Sequence, residues 1–201
     1  MKYLAWIALF IISLGAGIAS YQWLTTSPQD ADMTAAAPPV KVPLNLFKIN
    51  SDDGRFHQLS HDKQIYIAYF GFTHCPDVCP TSLAILSAAL QGASEAQQQK
   101  IQSLFISVDP KRDDAKTVST YAAYFHPDII GLSPNEGQLL GLTHALGVYY
   151  KYVDTPNSQL EYSVDHSSFF YFLDSDGQLL AKVPHTLDPK PLVKQIQRLL
   201  P

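Results

Sequence analysis

The sequence predicts an α/β domain in which helices flank a sheet of mixed parallel and antiparallel strands. Three observations lead there. Uninterrupted apolar runs at 65–70 and 104–108 have the character of strands buried on both faces. Helical patterns at 83–90 and 114–125 follow these runs in alternation. The chain then closes with a glycine-containing hairpin and one more helix. Composition sets the outer bounds. Charged residues make up 16% of the 201 residues, below the usual quarter, and hydrophobic residues reach 46%, which excludes a disordered chain. With 14 basic against 18 acidic side chains, there is no cationic excess to displace counterions from a phosphate backbone, so nucleic acid is not an expected partner. Two cysteines are too few for a disulfide-framework mini-protein.

From the N-terminus, residues 3–24 carry no charge and are interrupted only by Ser13, Ser20 and Gln22. A helix of that length crosses a hydrocarbon core of about 30 Å. Tyr3 and Trp6 stand near one end and Tyr21 and Trp23 at the other, where interfacial aromatics belong. A cleaved signal is the competing reading, with small residues at Gly17-Ile18-Ala19. The run exceeds the apolar stretch of about 7–15 residues usual in signals, which favours an uncleaved anchor over 1–24. Lys2 is the only cation before Lys41, so the start of the chain stays inside and the remainder is exported. Residues 25–43, rich in Thr, Ser, Pro and Ala, read as a flexible tether, and 44–201 as the globular domain.

Within the domain, 46–50 and 56–59 flank Ser51-Asp52-Asp53-Gly54, a hairpin signal. The run 65–70 is the central strand. Leu83, Ile85, Leu86 and Leu90 mark a helix that Gly92 stops, and 104–108 is a second buried strand. Val118, Tyr121, Ala122 and Phe125 fit one face of the helix at 114–125, which Pro127 closes. Ser133 is the expected N-cap of the next helix, with Pro134 at its first position, Glu136 completing a capping box and Gly147 at its far end. Strands are expected at 148–153, 169–173 and 179–183, and a final helix at 191–200. Asp174-Ser175-Asp176-Gly177 has the start of a calcium loop, but Gln178 and His185 occupy its fifth and twelfth positions, so it is a hairpin turn.

The chemistry concentrates in His74-Cys75-Pro76-Asp77-Val78-Cys79-Pro80, between the first buried strand and its helix. Proline after each cysteine disfavours helical backbone there, so Cys79 is expected at the N-cap with Pro80 at the first helical position. A thiol so placed should have a lowered pKa. Three readings stand side by side: a structural disulfide, a redox-active pair with one residue more than C-x-x-C, and a soft-metal site for copper or zinc. The spacing is not C-x-x-C-H, so covalent haem attachment is out. A third ligand would come from among His57, His61, His74, His126, His144, His166 and His185. His166, in Val164-Asp165-His166-Ser167-Ser168 at the opening of a strand, has the best context, with Asp165 as a candidate to orient its ring. Asp109, Arg112 and Asp113 follow the second buried strand and fall at the same sheet end; they are either a solvated turn with a helix cap or a patch that supports the site or meets a partner.

The run Tyr69-Phe70-Gly71-Phe72-Thr73-His74-Cys75-Pro76-Asp77-Val78-Cys79-Pro80-Thr81, with Ser107-Val108-Asp109-Pro110-Lys111-Arg112-Asp113 and Val164-Asp165-His166-Ser167, resembles the Sco/SenC family in the same order over about 44–200. The resemblance implies a thioredoxin-like fold and a copper site made by Cys75, Cys79 and His166, with Cu(I) or Cu(II) bound. Asp77, Asp109, Arg112 and Asp165 would surround or dock against that site. It implies a metallochaperone that assists the binuclear copper site of cytochrome c oxidase, in a bacterial inner membrane with the domain on the periplasmic or outer side. Its partners would be the oxidase copper-site subunit and other copper chaperones or thiol reductants. The alternative activity is a membrane-tethered thiol-disulfide oxidoreductase that keeps an acceptor's cysteines reduced.

Overall fold

The computed structural model describes residues 40–56, 58–156 and 161–201. The anchor expected over 1–24 lies outside these residues, and among the described residues no helix is long and apolar enough to cross a membrane. His57 also lies outside them.

The expected central strand is β1, Ile65–Gly71, buried along its whole length. It is joined by β2, Ile101–Ser107, and β3, Ile129–Leu132, both parallel to it in register order. On its other side lies antiparallel β6, Phe169–Leu173, followed by antiparallel β7, Leu179–Pro184. The five-stranded sheet therefore runs β3-β2-β1-β6-β7. Parallel strands need helical crossovers, and these are α1, Val78–Gln91, with the short α2, Glu95–Lys100, then α3, Ala115–Phe125. After β3, α4, Glu136–Leu146, leads into a separate two-stranded ribbon, β4, Tyr150–Asp154, and β5, Tyr162–His166. The last helix is α5, Lys190–Leu199, which lays Leu192 and Ile196 into the core.

Several expectations are corrected in detail. The segments around Ser51–Gly54 are not strands: residues Leu44–Phe47 form one 3₁₀ turn, and only the turn survives, closed by the Ser51 N–H to the Phe56 carbonyl at 3.1 Å. Phe47, Ile49 and Phe56 are buried against the body, which satisfies their apolar pattern without a partner strand. Ser133 does not cap α4. Its hydroxyl donates to the Asp113 carbonyl at 2.5 Å, and Asn135 makes the capping box with Gln138 instead. Gly147 does end α4, in left-handed backbone at φ 63°. The strands β3 and β5 and the helix α2 go beyond the sequence expectation; each is short, and β5 buries only Val164 rather than forming an apolar run.

The domain also starts before residue 44. Val42 is fully buried, its N–H donates to the Gly177 carbonyl, and Leu179 N–H donates to the Val40 carbonyl. Lys41 bridges Gln178 in the same antiparallel fashion. The β6–β7 turn that receives this segment lies at the Ile65 end of β1, because Leu173 faces Tyr66 in the register. Asp174 holds that turn by accepting from the N–H groups of Asp176 and Gln178.

Candidate metal centre

At the Gly71 end of β1 the chain enters the loop Phe72–Asp77 and then α1. Asp77 is the N-cap residue, exposed and without a side-chain capping bond. Cys79 is therefore inside the first turn, not at the cap. Proline is tolerated one residue later because the first N–H groups of a helix have no intrahelical acceptor; the ladder begins with Thr81 N–H to the Asp77 carbonyl at 3.2 Å. Cys79 is fully buried and Cys75 half-buried, and both are free thiols. Gly71 makes room for Cys79. A Cβ there would stand 2.7 Å from Cys79 Sγ and 2.8 Å from the Phe105 ring.

His166 closes the group from the other direction. It is the last residue of β5, three residues before β6 begins. Its Nε2 lies 3.4 Å from Cys79 Sγ. Nδ1 is 3.1 Å from the Ser167 carbonyl, the contact that fixes the ring. Asp165, the expected orienter, is exposed and stands opposite Lys151 in the β4–β5 register, on the other face of its strand. The edges of Tyr69 and Phe72 enclose the imidazole at centroid distances of 6.3 and 6.0 Å. Donor atoms of Cys75, Cys79 and His166 all lie within 4.8 Å of one another.

The two thiols are electrostatically unlike, and in the reverse of the expected sense. Cys75 has its pKa lowered, first by the hydrogen bond from the Cys79 side chain, with His166 and the N–H groups of Cys79 and Asp77 assisting against partial burial. Cys79 N–H approaches Cys75 Sγ at 3.5 Å. Cys79 is pushed up, because it donates to its partner and is buried beside it. The helix start thus stabilises the thiolate in front of it, not the thiol within its first turn. Iodoacetamide at pH about 6, where an ordinary thiol is under about 1% ionised, is expected to modify Cys75 in the reduced protein and spare Cys79. Peptide mapping reads the outcome; equal or preferential labelling of Cys79 would contradict the assignment.

Behind the loop sits Asp113, fully buried. It accepts from Thr73 N–H at 3.0 Å, Thr73 hydroxyl at 2.6 Å and Ser107 hydroxyl at 2.7 Å. This residue passes in the sequence for part of a charged turn; its signal is its position directly after a buried strand, level with the cysteine loop. Asp109 is likewise fully buried, with Arg112 Nε 2.5 Å from its carboxylate. The solvated turn considered for 109–113 is therefore replaced by two buried carboxylates with assigned donors.

The other described histidines lie elsewhere. His74 is exposed, 3.2 Å from the Thr73 hydroxyl, and points to Asp113 rather than to the sulfurs. His126 is the C-cap residue of α3, His144 is exposed on α4, and His61 meets Ser175. His185 Nδ1 pairs with the Ser82 hydroxyl at 2.8 Å.

A sheet of three parallel and two antiparallel strands, with a Cys-x-x-x-Cys loop at the C-terminal end of the central strand, defines a thioredoxin-like domain. The added imidazole makes that end a soft-donor site. The SCO1/SenC family model matches residues 40–201, and the chain belongs to this family. Protein SCO2, mitochondrial, of Saccharomyces cerevisiae is 33% identical over 200 residues, covering 98% of this chain and 66% of that protein, so the chain spans just under two thirds of this relative's length. Among solved structures, apo Sco1 from Thermus thermophilus superposes with a TM-score of 0.71 at 30% identity, over 84% of this chain and 96% of the other. The copper-bound ScoI of Arabidopsis thaliana gives 0.68 at 29% identity, over 83% of this chain and 98% of the other.

Proposed function

We propose that this protein carries copper on Cys75, Cys79 and His166 and assists maturation of the copper site of cytochrome c oxidase. The observation that carries the reading is the convergence of two sulfurs and one imidazole nitrogen within 4.8 Å at one end of the sheet. Thiolate and imidazole together suit Cu(I) and Cu(II), and a site of only three protein donors leaves room for an incoming ligand. Copper is cargo in this scheme. Cys75 offers a thiolate already, Cys79 yields its proton on binding, and the Ser167 carbonyl keeps the imidazole in one orientation. Membership in a family with a copper-bound structural neighbour supports it. The receiving partner would be the oxidase copper-site subunit, and the donors other copper chaperones or thiol reductants.

Oxidation of the pair removes two of the three donors. The reduced protein is expected to bind about one copper in anaerobic titration and the disulfide form little, because the thiolate is the ligand. Equal stoichiometry in both forms would refute the proposal.

The domain organisation belongs to the same reading: an anchor over 1–24, a tether, and a copper domain facing the periplasmic or outer side of a bacterial inner membrane. The intact protein should stay with membranes through a high-salt wash. Recovery of a mature form beginning near Ser20 in the soluble exported fraction would instead identify a cleaved signal.

A second reading rests on a specific arrangement. The ionised, half-exposed Cys75 beside a buried, protonated Cys79 is the pairing of an attacking and a resolving thiol. In that reading Cys75 attacks an acceptor disulfide, Cys79 resolves the mixed disulfide, the acceptor's cysteines are left reduced and the Cys75–Cys79 pair oxidised, and His166 serves proton transfer.

A further inference from the structure

His166 sits on a ribbon that shares no ladder with the main sheet: β5 pairs with β4, and the two form a separate sheet. The ribbon's C-terminal end runs within three residues into β6, where the Ser168 carbonyl accepts from His185 N–H at 2.8 Å, so the main sheet holds the ribbon on that side only. The far side of the ribbon is fastened to one short segment that follows β2. Val108 accepts from the Tyr152 hydroxyl at 3.1 Å. Asp109 accepts from the Tyr162 hydroxyl at 2.7 Å. Arg112 bonds Asp109 through Nε and donates from Nη1 to the Tyr162 carbonyl at 2.9 Å. Its guanidinium also lies 3.7 Å above the Tyr162 ring and 5.9 Å from the Phe72 centroid, and Phe72 is the ring that meets His166 edge-on.

Fork, carboxylate and phenol make a closed triangle, with each charged group holding the other two. A planar guanidinium that stacks and forks is not replaceable by an ammonium here. Asp109 is fully buried, so its charge has no solvent alternative once Arg112 is gone. Tyr162 opens β5 and His166 ends it, so a shift at the clamp is carried along a five-residue strand to the imidazole.

We propose that Arg112 and Asp109, through Tyr162, are positioning residues that hold the His166 ribbon at ligating distance from the Cys75–Cys79 pair. The inference deepens the copper reading and rests on it for its meaning, but the geometry can be tested without metal. Neither residue touches the donor atoms. Loosening the clamp should leave the two thiols able to close their disulfide, while the imidazole loses its fixed place against Tyr69 and Phe72.

The test uses the reduced, metal-free protein and four forms: wild type, Arg112→Gln, Arg112→Lys and Tyr162→Phe. The Tyr162→Phe variant removes one hydroxyl and keeps the ring, so it serves even if Arg112→Gln fails to fold. Proton NMR contacts between the His166 ring and the Phe72 and Tyr69 rings report the geometry, and amide shifts along α1 and β1 report general damage. Competition with a chromophoric Cu(I) chelator reports retention. We expect the His166–Phe72 contact to weaken in Arg112→Gln and Tyr162→Phe with α1 and β1 unchanged. Copper affinity should fall about 10–100-fold in Arg112→Gln, with only partial recovery in Arg112→Lys. Unchanged ring contacts in both Arg112→Gln and Tyr162→Phe would overturn the inference. So would loss of contacts that spreads equally through α1 and β1, since that describes a folding role alone. If wild type binds no copper while the ring contacts still depend on Arg112, the copper reading fails and the clamp stands.

Discussion

His166→Ala is expected to lower copper retention by more than about 100-fold while leaving the Cys75–Cys79 disulfide able to form. The two effects separate because, in the proposed site, the imidazole would supply one of three donors, whereas nothing in the sulfur–sulfur bond depends on it. Loss of a partner that only supports a ligand typically costs 10–100-fold, and loss of a ligand itself should exceed that. The Cu(II) spectrum should also change, since a nitrogen donor leaves a mixed sulfur–nitrogen set. The oxidoreductase reading predicts the opposite pairing: copper retention indifferent to His166 and thiol-exchange rate sensitive to it. Affinity and exchange rate measured on wild type and variant under the same anaerobic conditions decide the matter. Unchanged affinity would remove His166 from the ligand set.

The second large effect is expected at Asp113. Asp113→Ala strands the Thr73 N–H, the Thr73 hydroxyl and the Ser107 hydroxyl beside a fully buried position. Buried donors without acceptors cost about 1–3 kcal/mol each, and the hydroxyls can partly reorient, so a loss of about 3 kcal/mol is expected. In a domain of this size that is a fall in Tm of about 6–12 °C. Asp113→Asn should be much milder. Its carbonyl can face the Thr73 N–H and Ser107, and its amide can donate to the Thr73 hydroxyl, which is free to accept. Urea unfolding of both variants gives the comparison; an Asn variant as unstable as the Ala variant would show that charge, not acceptor placement, is what the site requires. Copper affinity should fall in the Ala variant as well, because Thr73 lies two residues before Cys75 in the same loop.

Much of this architecture is legible in the sequence, for identifiable reasons. β1 and the core of β2 are continuous apolar runs, α3 carries its Asp114 cap and Pro127 beyond its end, and Gly147 marks the stop of α4. Spacing and residue type bring Cys75 and Cys79 forward as candidates; context puts His166 ahead of the other histidines, and the resemblance singles it out. What local pattern could not carry is whatever depends on the distant chain. Asn135 rather than Ser133 caps α4 because Ser133 is engaged 20 residues back, by Asp113. The polarity of the thiol pair follows from Cys79 being buried in the first turn of α1 and donating to Cys75, which no dipeptide preference encodes. The buried standing of Asp109 and Asp113 depends on donors from Tyr162 and Thr73, 53 and 40 residues away.

The place where the chain enters the domain has a mechanical consequence. Residues Val40–Val42 are stitched to the β6–β7 turn, at the end of the sheet remote from the sulfurs. The seven-residue β1 separates the two ends by roughly 20 Å. If the leader is a membrane leash as proposed, it joins the domain at the end of the sheet opposite the donor atoms. Tension or crowding at the leash is then borne by the β6–β7 corner and does not load the cysteine loop. Fifteen residues from 25 to 39 reach at most about 50 Å when extended. Under that proposal, leash length, not site chemistry, would set how far from the bilayer an acceptor could present its own ligands.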